Sequence, residues 1–132
     1  MKISFFDKIM VLCLAYKNIF LLPAKYIPIN LAKPIDAARY FEFSYLLKFL
    51  REKKLKKMDI LDVSSPFMID YIIAANNKVE KINIDEAEKK FINENNKNLS
   101  FVKDDATNLK YEDEKFDFVY EDLAFTYGCH KN

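Results

Sequence analysis

The sequence predicts an α/β fold, a doubly wound and mainly parallel sheet of about four strands preceded by N-terminal helices. Two observations predict it. From Met58 onward the runs Ile60 to Val63, Val79 to Ile84, Leu99 to Val102 and Phe116 to Tyr120 are short, apolar and bounded by turn residues, as strands are. Between the first three lie stretches of helical length, Pro66 to Ala75 and Ala87 to Asn95. Strands joined by helices need right-handed crossovers, and such crossovers make neighbouring strands parallel.

The N-terminal part reads differently. Ser4 followed three residues later by Asp7 is a capping box, and Phe5, Phe6, Ile9, Met10, Leu12, Cys13, Tyr16, Ile19 and Phe20 recur at helical spacing until Pro23, which predicts a helix over Phe5 to Leu22. Its wide apolar face needs a cover: the body of the protein, a partner or, as a peripheral contact, a membrane surface. Asp7, Lys8, Lys17 and Asn18 interrupt it, so it is too short to span a bilayer, and no cleavage signal follows. Pro23, Pro28 and Pro34 predict a linker or extended arm, because each lacks an N–H and restricts the residue before it. Asp36 then caps a second helix carrying Ala37, Ala38, Tyr40, Phe41, Leu46, Leu47, Phe49 and Leu50, ended by the solvated basic run Arg51 to Lys57. The chain therefore divides into a helix and arm over residues 1–35 and a partial α/β domain over residues 36–132.

Composition bounds the function. A chain of 132 residues, 51% hydrophobic, buries one core. With 21 basic and 20 acidic residues no excess charge favours nucleic acid as a partner. Cys13 and Cys129 lie near opposite ends without metal-ligand spacing, and the lone His130 sits with Cys129 in a short polar tail, so neither zinc nor a disulfide framework is expected and the compartment predicted is the cytoplasm. Gly128 is the sole glycine.

In parallel sheets of this kind ligands bind beyond the carboxyl ends of the strands. The first strand ends in ILDVSSPF, where Ser65 is placed as N-cap and Pro66 as first helical residue. Asp62 in the same run reads either as a brace for the turn or as a ligand contact. The second strand ends at Asp85, about twenty residues on, the offset at which nucleotide folds present a carboxylate to a ribose. The third runs into Asp104 and Asp105, and the fourth ends at Tyr120, Glu121 and Asp122. A dinucleotide needs its pyrophosphate seated on the free N–H groups of a glycine-rich turn, and Ser-Ser-Pro does not supply them, so a nicotinamide or flavin domain is disfavoured. S-adenosylmethionine carries no phosphate; its ribose diol, adenine amino group and cationic methionyl tail suit carboxylates.

These segments together resemble the class I, Rossmann-like S-adenosylmethionine-dependent methyltransferases, in particular the methyltransferase type 11 domain, from about Ile60 to Tyr120. ILDVSSP is similar to the first motif of that family, VEKINIDE to the second, and FVKDDATNL followed by KFDFVY to the third and fourth. The departure is Ser64, where the family mostly has glycine. The resemblance implies S-adenosyl-L-methionine as cofactor, with Asp85 on the ribose hydroxyls, Asp105 on the adenine amino group, the Ala106 backbone at the ring edge, Asp62, Ser64 and Ser65 along the methionyl part, and Glu121 closing from the other side. Glu121 and Asp122 are also the acids available as a general base, although many methyl transfers need chiefly proximity and orientation; Arg39 and Tyr40 precede the first strand where related enzymes can cover the methionyl tail, core packing or a solvated arginine being the favoured reading. The implied activity is methyl transfer to a small-molecule acceptor. A full domain of that family has roughly seven strands, so the resemblance implies a truncated chain whose uncovered sheet edge favours self-association. The alternative is a non-catalytic remnant or interaction module that keeps the sheet without the site.

Overall fold

In the computed structural model the described residues are 2–33 and 39–121. They form α1 (Phe5–Asn18), α2 (Ile27–Ala32), α3 (Arg39–Glu52), β1 (Asp59–Val63), α4 (Phe67–Ala74), β2 (Lys78–Asn83), β3 (Leu99–Lys103) and β4 (Phe118–Glu121), with 3₁₀ segments at Ile19–Leu21, Ala24–Tyr26 and Glu86–Phe91. The strands make one parallel sheet in the order β3-β2-β1-β4. This is the Rossmann-like α/β architecture preceded by N-terminal helices that the sequence predicts. The chain steps outward from β1 to β3 and then returns to β4 on the other side of β1, so the strand order reverses between β1 and β4.

The capping box forms. Ser4 Oγ accepts the Asp7 N–H at 3.2 Å, while Asp7 Oδ2 accepts the Ser4 N–H at 2.8 Å. Arg51 at the end of α3 donates to Asp7 Oδ1 at 2.8 Å, which ties the start of α1 to the end of α3. The Ser4 donors and Arg51 hold the Asp7 carboxyl well below the usual carboxylate range. Val11, Ala15 and Ile19 then bury against α3 and α4 in one core with Phe43, Leu46, Ile60, Met68, Ile72 and Val79.

Three sequence expectations are corrected. The first helix ends at Asn18 and tightens into a 3₁₀ turn instead of running to Leu22, because Leu22 precedes Pro23 and is held extended at ψ 157°. The arm expected around Pro23 and Pro28 contains α2: Pro28 sits in its first turn, where a missing N–H loses no helical bond. The second crossover is a 3₁₀ segment, not an α-helix over Ala87 to Asn95. Asn93 and Asn96 accept the N–H groups of Asn95 and Asn98, each at 3.0 Å, and these local turns compete with helix. Asp36 and Pro34 lie outside the described residues, as do Asp122, Cys129 and His130.

Both β1-to-β3 crossovers pack on one face of the sheet, where Phe91 stacks on Phe67 at 4.5 Å and its carbonyl accepts the Tyr71 hydroxyl at 2.8 Å. The link over 104–117 serves the other face, with Lys115 3.3 Å from Glu80. Ile84, Val102 and Val119 remain exposed on that second face, and β4 pairs only with β1 among the described residues. No helix among the described residues is long and apolar enough to cross a membrane.

Candidate functional site at the strand carboxyl ends

The turn after β1 takes the backbone shape that glycine usually supplies. Ser64 has φ 64°, in the left-handed region, and its N–H donates to the Ile82 carbonyl at 3.1 Å. A Cβ in that region costs about 1–2 kcal/mol, so neighbouring bonds must hold the turn. Asp62 does so from behind: its Oδ1 accepts the Ser65 N–H at 3.2 Å.

Beneath the turn lies a buried polar cluster. Lys81, in the middle of β2 and fully buried, places Nζ 2.8 Å from Asp62 Oδ2 and 3.0 Å from Asp70 Oδ2 of α4, and also donates to the Ser65 carbonyl. Glu88 Oε2 approaches the same nitrogen at 3.3 Å. Tyr120 of β4 donates its hydroxyl to Asp70 Oδ1 at 2.8 Å. Register explains the meeting: Asp62 pairs with Lys81 on one side and Tyr120 on the other, so all three side chains leave the same face of the sheet. Burial and the neighbouring Asp62 push the Asp70 carboxyl well above its ordinary range. Burial alone would lower Lys81, but Asp70 and Asp62 outweigh it and keep the ammonium charged. Burial and Asp70 likewise raise the Tyr120 phenol, which stays protonated as a donor.

The residues expected at the site fall into two groups. Asp62 and Ser65 are buried inside this cluster, with both Asp62 oxygens engaged by the protein's own donors. Ser65 does not cap α4; Pro66 occupies the cap position with an extended ψ of 134°, and the helix starts one residue later, at Phe67.

Asp85, Asp105, Ala106 and Glu121 are exposed. Asp85 caps the 3₁₀ segment through the Ala87 N–H at 2.8 Å. Asp105 accepts the Thr107 N–H and hydroxyl, both at 2.8 Å, and these bonds lower its pKa. The Asp104 N–H donates to the Asn83 carbonyl at 3.3 Å, so the loops carrying Asp85 and Asp105 leave the sheet side by side. Glu121 closes β4 opposite Val63. In strand order the rim reads Asp105, Asp85, Ser64, Glu121, about 14 Å across at a strand spacing of about 4.8 Å.

Between the turn and β4, at the point of strand reversal, Glu42, Phe43, Leu46, Pro66, Ile69 and Glu121 surround a hollow of about 20 Å³, room for about one water. Larger hollows of about 340 and 550 Å³ lie at the opposite end of the sheet, around Asp59, Lys78 and Asn98. They open at the amino ends of the strands, away from where α/β sheets bind ligands.

Sequence reasoning missed Lys81 and Asp70, and placed Tyr120 at the open strand ends, not in this buried cluster. The signal was present: Asp62, Asp70 and Lys81 each interrupt an apolar run, ILDV, MIDYII and VEKINI, with a charge at an inward position, and the signs are opposite. Charges so placed are buried in pairs.

The fold and rim define an α/β domain whose strand carboxyl ends are lined by carboxylates. No protein-family model, curated protein or solved structure matches this chain.

Proposed function

We propose that this chain binds S-adenosyl-L-methionine across the carboxyl ends of its strands and serves as the cofactor-binding part of a methyltransferase for a small-molecule acceptor. The observation that carries the reading is the juxtaposition of Asp85 and Asp105 on the loops that leave the carboxyl ends of neighbouring parallel strands, beside a turn in which Ser64 adopts a left-handed backbone. In this reading Asp85 meets the ribose diol and Asp105 the adenine amino group, with the Ala106 backbone at the ring edge. Glu121 adds negative charge near the sulfonium. The reaction breaks the bond from sulfur to methyl and forms one from the acceptor to methyl, and orientation of the two partners does most of the catalytic work.

A second reading, an interaction module without the activity, is favoured by one observation: Asp62 and Ser65 serve the buried cluster rather than the rim. Isothermal calorimetry of the full chain separates the two. Saturable heat with S-adenosylhomocysteine, and none with NAD, supports the first reading; no heat with either supports the second.

A further inference from the structure

We infer that the outer face of α1 docks on an anionic membrane surface. This inference is independent of the proposed function.

The geometry comes from the helix itself. Asp7, Val11, Ala15 and Asn18 form its buried stripe. At roughly 100° per residue, Phe5, Ile9, Cys13 and Tyr16 form a second stripe on the opposite side, and Phe20 follows in the 3₁₀ turn beyond its end. All five are exposed, Phe5 at 77% and Phe20 at 68%. The stripe continues sideways, because the Tyr16 hydroxyl donates to the Leu31 carbonyl at 3.4 Å and the side chains of Ile29 and Leu31 in α2 are also exposed.

Charge selects the occupant. On the same angular count Lys8 and Lys17 flank the stripe on its two sides. Residues 2–33 hold five lysines and one acid, and that acid, Asp7, is buried against Arg51 and Lys48. The face is thus apolar along its centre and cationic along its margins. Two copies pressed together through it would set lysine against lysine. A leaflet carrying anionic headgroups accepts both features, with the aromatic rings at the headgroup boundary and the lysine stems reaching outward. The helix has 14 residues and is about 21 Å long, which suits a position in the plane of the interface.

The test uses the full chain with vesicles of phosphatidylcholine alone and of phosphatidylcholine mixed with phosphatidylserine, read by co-sedimentation. Binding to the mixed vesicles, weakened by salt and much lower on phosphatidylcholine alone, is expected. Lys8→Ala with Lys17→Ala is expected to weaken it about thirty-fold, and Ile9→Glu with Phe20→Glu to abolish it while circular dichroism stays unchanged. A fluorophore on Cys13, with Cys129→Ser, is expected to shift to the blue on the mixed vesicles. No sedimentation with either vesicle overturns the inference. So does equal binding by the Ile9→Glu, Phe20→Glu chain, or a dimer that this variant converts to monomer, which would assign the face to a second copy.

Discussion

Replacing Lys81 by Met removes the one cation placed between Asp62 and Asp70 and leaves the volume nearly unchanged. Its ammonium is fully buried, within 2.8 Å of one carboxylate and 3.0 Å of the other. Breaking a buried pair from one side costs about 3–5 kcal/mol, because the remaining charge keeps its desolvation penalty without its partner. Domains of this size are stable by about 5–15 kcal/mol. At a urea dependence of about 2 kcal/mol per molar, a loss of about 4 kcal/mol moves the unfolding midpoint down by about 2 M. The pH dependence supplies a second signature. Asp70, already raised by burial and by Asp62, loses the opposing pull of Lys81 in this variant and rises further. A carboxyl raised in this way binds its proton more tightly when folded, so stability increases as pH falls from neutrality toward the unfolded carboxylate range, and is lost as pH rises. The Lys81→Met chain should therefore show a steeper gain on acidification than the parent. Adding Asp62→Asn and Asp70→Asn should recover much of the loss, since no unpaired charge is then buried. Urea titrations followed by far-ultraviolet circular dichroism at several pH values read all of this. A midpoint within about 0.3 M of the parent, with an unchanged pH slope, refutes the reasoning.

The other predictions concern the turn, the rim and the N-terminal cap. Ser64→Gly relieves the left-handed Cβ at φ 64° and should raise stability by about 1 kcal/mol, seen as a higher thermal midpoint; a decrease would mean that the Ser64 side chain contributes more than it costs. Asp85→Ala removes a carboxylate that would bond the ribose diol and should weaken S-adenosylhomocysteine about ten- to hundred-fold by calorimetry, the range for a charge-assisted hydrogen bond; unchanged affinity would remove Asp85 from the site. Asp7 is held below the usual carboxylate range, so its contribution is present above the unfolded pKa and lost as pH falls through the folded one. The Asp7→Asn chain should be less stable than the parent at neutral pH, with the gap closing in strong acid, and a gap that stays constant in thermal melts would contradict this. Tyr120→Phe deletes the donor to Asp70 Oδ1 and should cost about 1–3 kcal/mol in urea unfolding.

The parallel arrangement of the strands and the placement of their carboxyl ends were legible in the sequence because both follow from period and length. Four apolar runs each of strand length, the first three separated by crossovers too long for hairpins, leave few arrangements other than a parallel sheet. The capping box at Ser4 and Asp7 was legible for a similar reason, since both partners lie within one turn. Less legible were features set by competition. Asn93 and Asn96 decide between helix and turn through side-chain bonds, and Pro28 reads as a breaker until its position in the first turn is known. At the site, Asp85, Asp105 and Glu121 emerged at exposed strand ends as their positions in the sequence indicate. Asp62 was harder: the run ILDV places a carboxylate at the end of a strand whether it faces a ligand or a lysine one strand away. Only the register between β1 and β2, which aligns Asp62 with Lys81, distinguishes the two.

The claim that the rim of strand ends receives an adenosine-containing ligand is tested most directly by nuclear magnetic resonance of the uniformly ¹⁵N-labelled full chain titrated with S-adenosylhomocysteine. The account predicts saturable shifts of the amides of Ser64, Ser65, Asp85, Asp105 and Ala106, with those around Lys97 and Asn98 at the other end of the sheet unmoved. Shifts confined to that opposite end, or none at any ligand concentration, contradict it.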